Sequence, residues 1–422
     1  VNTRFTEYAE LFQNKAYRRY FSATSVSRIG TGIRFVSLTW LAMELTNSSY
    51  AVALTLVFES LPGILFSPVL GVYVDRLDKR IFSTCVNLFQ ALVLTALFFA
   101  MQAGVLMPWH LYLVIFCLAL ADILYRTLRV TIVRELVPED KLLVANTASA
   151  MGDQLGTTLG AAVAGLVIAW FSTQAAVGVY IVCLLIGAFF FWRIRKGYVV
   201  AHTPSTKAKG WGAVLTELKA GYQYIGQHKE IIPIYGMMLV LISTLKTINV
   251  LLPPFASDVL KVGSSGFGYI DSSFAIGAII GSFLLPKLRH RYPDHRLMSI
   301  GLYGLSASLM LFALSTSLWI AILGYFLIGI TYQVWILNQT QAQESVEMSY
   351  QGRVHAAFTF FFSIASLLVY TVMGMLSEIV SQRWLYASQG VLVSLVWVVL
   401  YSLTSHRWKK QAVQNKQQSV NM

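Results

Sequence analysis

The sequence predicts an all-α membrane protein with 12 transmembrane helices in two pseudo-symmetric six-helix bundles. Three observations predict it. The 422 residues are 56% hydrophobic and only 12% charged, whereas a water-soluble globule carries about 25% charged residues. Apolar stretches recur along the chain, each near the roughly twenty residues that cross a bilayer. A single long basic linker divides them six and six, as in membrane proteins built from internal repeats.

The elements follow in order. Residues 1–17 are polar and amphipathic and read as a short lead-in helix, with Arg18 and Arg19 at the surface. Spans lie at about 19–43, 51–70, 81–102, 110–130, 146–170 and 175–193. Met107-Pro108-Trp109 marks the turn before the fourth span, and the charged segment 134–141 ends it. The linker, 194–230, holds Arg195, Lys196, Lys207, Lys209, Lys219 and Lys229. Its stretch from Trp211 to Tyr224 has helical periodicity and is expected to lie on the membrane surface. Six more spans lie at about 231–255, 266–286, 296–315, 319–341, 354–376 and 384–404. The boundaries are therefore 1–193 for one bundle, 194–230 for the linker, 231–404 for the second bundle and 405–422 for a polar, mobile tail.

Charge placement excludes several classes. The net charge of +13 is not laid out as a nucleic-acid surface; the basic residues sit between apolar spans. The N-terminus, the turns after even-numbered spans and the tail hold 26 of the 32 Lys and Arg; the opposite turns hold two, Lys261 and Arg383. That bias puts both termini in the cytoplasm. The first residues lack the form of a cleaved signal peptide. Cys85, Cys117 and Cys183 fall within apolar spans, and the seven histidines show no zinc spacing, so neither a metal nor another cofactor is expected. No nucleotide-binding loop and no ion-filter motif is present, which argues against an ATPase and a channel.

Ionisable groups at membrane depth cost at least a few kcal/mol unless paired or hydrated. They are Arg28 and Arg34 in span one, Glu59 in span two, Asp122 and Arg126 in span four, Asp153 in span five, Lys246 in span seven and Asp271 in span eight. Glu59, at mid-span, is the first choice for a group that takes up a proton or recognises a cation. Asp122 is the second, and Arg126 four residues on is within reach to hold it in a gating ion pair. Asp271 either attracts a cationic substrate or pairs with Lys246, and Asp153 reads as structural or gating. Each carboxylate has a plainer reading as a satisfied interhelical ion pair. Four cations and four carboxylates balance, so the count does not choose. Cavity-facing unpaired cations would suit an anionic substrate; mutual neutralisation would suit a cationic or neutral amphiphile. Trp40, Tyr125, Tyr235, Asn249, Tyr269, Tyr332, Trp335, Asn338 and Gln339 supply rings and amides for a cavity lining, although many aromatics in such a chain face lipid or protein. Gly152, Gly156 and Gly160 form a smooth stripe for helix contact in span five, and Gly266, Gly268, Gly277 and Gly281 do so in span eight.

Between spans two and three stands Gly71-Val-Tyr-Val-Asp75-Arg76-Leu-Asp78-Lys79-Arg80, with five charges in six positions. Asp75 can cap a short helical turn there, while Arg76, Lys79 and Arg80 hold it at the headgroups. The pattern resembles the signature loop of the major facilitator superfamily, with Asp78 where a glycine is usual. Further resemblance lies in Arg18-Arg-Tyr-Phe running into Ile29-Gly30, in Thr39-Trp-Leu-Ala-Met-Glu44-Leu-Thr, in the segment Leu136 to Asn146, and in Leu251-Leu-Pro-Pro-Phe-Ala through Gly268. These are similar to the branch holding macrolide-efflux proteins and the enterobactin exporter. The Gly-Pro pair usual in span five of exporters is absent, Ala161 following Gly160.

The resemblance implies a loop that latches the inner ends of two helices, a monomer in the bacterial cytoplasmic (inner) membrane, and proton-coupled export by alternating access. The substrate is then a small amphiphile, either a drug or antibiotic or a siderophore-like anionic metabolite; lipid flipping and import come after. No ATP, nucleic acid or catalytic residue enters this reading; the partners are a small-molecule substrate and membrane lipids.

Overall fold

The computed structural model describes residues 10–74, 78–138, 141–194, 211–289, 291–347 and 350–420. Among these there is no strand. The first six helices are α1 Lys15–Thr46, α2 Ser49–Val74, α3 Lys79–Gln102, α4 Pro108–Leu136, α5 Leu142–Trp170 and α6 Thr173–Trp192. Linker helix α7 is Trp211–Gln227. Then come α8 Ile232–Pro254, α9 Gly263–Arg289, α10 Asp294–Ala313, α11 Leu318–Thr331, α12 Val334–Glu344, α13 Gln351–Ile379 and α14 Gln382–Val420.

Among the described residues, 11 helical spans are long and apolar enough to cross a membrane, α11 and α12 counting as one. Helix α1 adds a further candidate of 32 residues, about 48 Å at 1.5 Å per residue. It is less apolar because protein surrounds it: Thr24, Ser27, Arg34, Ser37 and Thr39 are all buried. A helix shielded from lipid can carry polar side chains that a lipid-facing one cannot.

Several boundaries differ from the sequence reading. Helix α1 begins at Lys15, because the Asn14 side chain accepts from the amides of Ala16 and Tyr17 at 2.9 and 3.2 Å. Residues 15–17 thus belong to the first span. The tenth span breaks between α11 and α12 at Tyr332 and Gln333. The seventh ends in a π-helical turn, Phe255–Val259, directly after Pro253 and Pro254, whose rings interrupt the regular bonding ladder. The tail continues the α14 helix to Val420 where an unstructured segment was expected. Linker helix α7 docks on α13 in place of lying free on the bilayer: Gly221 meets the Arg353 backbone, and Tyr224 stacks on Tyr350 at 4.8 Å.

Of the signature loop, Gly71 is helical at the end of α2, and Asp75 and Arg76 lie outside the described residues. The capping carboxylate in view is Asp78, which accepts from the amides of Arg80 and Ile81 at 3.1 and 3.3 Å and starts α3. The usual glycine is thus replaced by a helix cap. Arg80 then donates to the Ile194 carbonyl at 2.6 Å, and Arg19 to the Arg193 carbonyl at 2.6 Å, so two cations satisfy the exposed end of α6. Asp78→Ala is expected to lower stability by about 1 kcal/mol, with Asn restoring most of it, as read by denaturation in detergent.

Packing repeats on both sides of the linker. Helix α1 packs on α5 and α6, α3 on α6, and both α2 and α3 on α4. In the same scheme α8 packs on α13 and α14, α10 on α14, and both α9 and α10 on α11. Two seams join the sets, α5 against α9 and α2 against α13. Glycines set the close crossings. A Cβ on Gly160 would fall on the Ile29 carbonyl of α1, and one on Gly165 or Gly268 would strike the other residue's backbone across the first seam. Gly277 and Gly281 instead admit α11.

The bonds across the seams gather toward the α1 end that carries Thr46. Ser272 and Ser265 donate to the carbonyls of Ala162 and Ala169 at 3.0 and 3.1 Å, and Trp170 donates to the Tyr269 hydroxyl at 3.2 Å. At the second seam Glu378 accepts from the Ser48 hydroxyl at 2.8 Å and the Tyr50 amide at 3.0 Å. Between the seams Trp40 of α1 stacks on Phe267 of α9, with ring centroids 4.7 Å apart.

Candidate functional site

The centre of the first set of helices is Arg34. It lies twelve residues before the end of α1, and its side chain is 6% exposed. Its Nη2 meets Glu59 Oε1 of α2 at 2.8 Å and Asp122 Oδ2 of α4 at 2.8 Å. Asp122 receives a second donor, Gln90 Nε2 of α3, at 3.0 Å. Gln90 also donates to the Leu118 carbonyl at 3.3 Å, which fixes the amide. Four helices are therefore tied by one guanidinium and one amide. Tyr180 of α6, fully buried, closes the far side. A void of about 10 Å³, room for about one water, is lined by Arg34, Thr39, Thr55 and Glu59 among others.

This arrangement changes one expectation. Asp122 pairs with Arg34, because α1 packs against α4 and brings the guanidinium across. The Arg126 side chain lies outside the described residues, so the pairing expected for it within α4 is not the one in view. Glu59 keeps one donor and is 30% exposed; Asp122 keeps two and is 17% exposed.

The remaining predicted groups fall in three places. Arg28 pairs with Asp153 at 3.4 Å, tying α1 to α5, and lies over the Tyr125 ring at 5.7 Å. Lys246 of α8 does not reach a carboxylate in any described ion pair. Its ammonium lies 5.1 Å from the Tyr370 ring of α13, and Tyr370 also interacts with Asn249 and feels the charge of Glu59. The second set of helices thus meets the Arg34 cluster through Tyr370. Asp271 on α9 has no hydrogen-bond or ion-pair partner among the described residues.

Most of the predicted lining residues serve packing. Tyr235 stacks on Phe358 at 3.6 Å, the Tyr332 hydroxyl donates to the Leu241 carbonyl at 3.1 Å, and Asn338 donates to the Ile234 carbonyl at 3.3 Å. Trp335 packs against the apolar core, and Trp40 and Tyr269 belong to the seams. Gln339 is half-buried. Gln90, Tyr180 and Tyr370 were missed. For Gln90 a signal existed, since an amide in an apolar span asks for a partner as a charge does. The two tyrosines carry no such signal in a chain so rich in aromatics. Among the described residues no group of three or more His, Cys, Asp and Glu is placed to hold a metal.

Comparison with known proteins agrees with this architecture. The family profile described as transmembrane secretion effector matches residues 6–421. A Bacillus subtilis MFS-type transporter, YfmI, is 21% identical, covering 94% of this chain and 98% of its own. Macrolide efflux protein A of Streptococcus pyogenes is 20% identical over 90% and 93% of the two chains. The enterobactin exporter EntS of Escherichia coli is 23% identical over 82% and 81%. Among solved structures, the nucleoside transporter NupG superposes with a TM-score of 0.69 at 13% identity, covering 92% of this chain and 98% of that one. The peptide transporter PepTSo gives 0.64 at 14% identity, over 94% and 99%. With a matching profile over nearly its whole length, the chain belongs to the transmembrane secretion effector family of the major facilitator superfamily, a family of membrane transporters and not of enzymes.

Proposed function

We propose that the protein exports a small amphiphilic compound across the bacterial cytoplasmic membrane by proton-coupled alternating access, as a monomer with both termini inside. The two bundles, 1–193 and 231–404, rock about a shared cavity, and the 71–80 loop with Gly71, Asp75, Arg76, Lys79 and Arg80 latches the inner side in the opposite state. The placement of seam bonds near the α1 C-terminal end supports an inward-open molecule, given the bias of 26 basic residues to 2.

One observation carries the proton coupling. A single guanidinium sits between two carboxylates, so the Arg34 cluster holds one negative charge in excess. An uncompensated charge at membrane depth costs at least a few kcal/mol, which one bound proton removes. Glu59 has fewer donors and more exposure than Asp122, and we assign the proton to it. Its position beside Tyr370 of the second bundle lets its charge state bias the fit between the bundles. The macrolide-efflux and enterobactin-exporter relatives support export of a drug-like or siderophore-like compound.

Direction is tested with inverted membrane vesicles. An acid interior should drive accumulation of substrate, and a protonophore should abolish it. Accumulation in right-side-out vesicles instead, under an inward proton gradient, would identify an importer.

A further inference from the structure

The charges at membrane depth can now be assigned partners. Arg34 is shared by two carboxylates, Arg28 meets Asp153, and Lys246 rests on Tyr370. Each internal cation whose side chain is described is thus engaged. Among the internal carboxylates, Asp271 is the one that the described residues leave without a cation or a hydrogen-bond donor.

Its direction follows from α9. Ile276, Ile280 and Phe283 are 49%, 44% and 67% exposed and mark the lipid side. Ser265, Gly268 and Ser272 meet α5, while Ser273 and Gly277 meet α11. At 100° per residue, Phe267, Asp271 and Ala275 fall on the side opposite the lipid, and Ala275 is buried there. Phe267 stacks on Trp40 of α1, so Asp271 sits one turn deeper than the aromatic plug that joins the bundles on the outer side. It is half-exposed, which places it against open space within the molecule.

We propose that Asp271 is a substrate-recognition carboxylate and that the transported compound is a lipophilic monocation. Resting on the export reading above, this names the substrate's charge. An anion would meet no uncommitted cation among the described side chains, and would be repelled by Asp271 and the excess charge at Glu59. A cation pairs with Asp271 while its apolar body contacts the Trp40–Phe267 rings, which attract positive charge at their faces. Burying a carboxylate is tolerated when a counter-charge arrives with the ligand.

The test uses equilibrium binding to the purified full-length protein in detergent, without a gradient. The probes are tetraphenylphosphonium, rhodamine 6G and the anion 2,3-dihydroxybenzoate. Wild type should bind both cations and not the anion. Asp271→Asn should weaken cation binding about tenfold or more, while Asp271→Glu retains most of it. Size-exclusion profiles and melting curves of the variants show that each is folded. Unchanged cation binding by a folded Asp271→Asn protein overturns the proposal, as does a wild type that binds neither cation or that binds the anion. Because no gradient is present, a failure of proton coupling leaves this result intact. Gradient-driven uptake in vesicles judges that reading separately.

Discussion

Arg34→Met should yield a protein that fails to fold stably in the membrane. The substitution leaves Glu59 and Asp122 without the guanidinium that both meet at 2.8 Å. Breaking a buried ion pair by removing one partner costs about 3–5 kcal/mol, because the remaining charge is stranded. Here two charges are stranded, and the same removal unties α1 from α2 and α4. The measurement is the yield of monodisperse protein in mild detergent and its melting temperature. The triple change Arg34→Met, Glu59→Gln and Asp122→Asn should recover folding without recovering transport, since no buried charge then lacks a partner. A single Arg34→Met protein with the stability and transport rate of the parent would remove the central role given to this residue.

Glu59→Gln should separate binding from energy coupling. The amide oxygen can still accept from Arg34, and the cluster becomes neutral with Asp122 as its remaining acid. Folding should therefore persist, as should exchange of substrate down its own gradient. Accumulation driven by a proton gradient should fall to background, because the group that changes charge during the cycle is gone. The two activities are read in the same vesicles, by counterflow and by gradient-driven uptake. Full gradient-driven uptake by the Gln variant would show that the proton travels elsewhere.

The chain's architecture was legible because it rests on long-range composition. Apolar runs, the basic linker and the 26 to 2 charge bias each average over many residues. The identity of the buried charges was legible too, since a charge in an apolar span is conspicuous. Their partners were not. The expected Asp122–Arg126 pair rests on helical spacing within one segment, whereas the observed Asp122–Arg34 pair depends on how α1 leans against α4. The helix crossing, not the sequence interval, decides such a partner. The lining residues failed for a related reason. Tyr332 and Asn338 carry polar atoms suited to a cavity, but each satisfies a backbone carbonyl of α8, a need that appears only once α8 is packed beside them. The glycine stripe of α5 needed no such knowledge, since small residues at four-residue intervals serve close contact wherever the partner helix lies.

The two seams differ in what mutation can do to them. On the α5 side the acceptors for Ser265 and Ser272 are the main-chain oxygens of Ala169 and Ala162. No codon change in α5 can delete an acceptor of that kind, so its sequence is free to drift as long as the residues stay small. On the α2 side the fastening hangs on a single carboxylate, Glu378, and one missense event removes both of its bonds. Inheritable variation in how readily the outer face parts should therefore accumulate at position 378 and its neighbours, while the opposite edge changes in letters and stays the same in function.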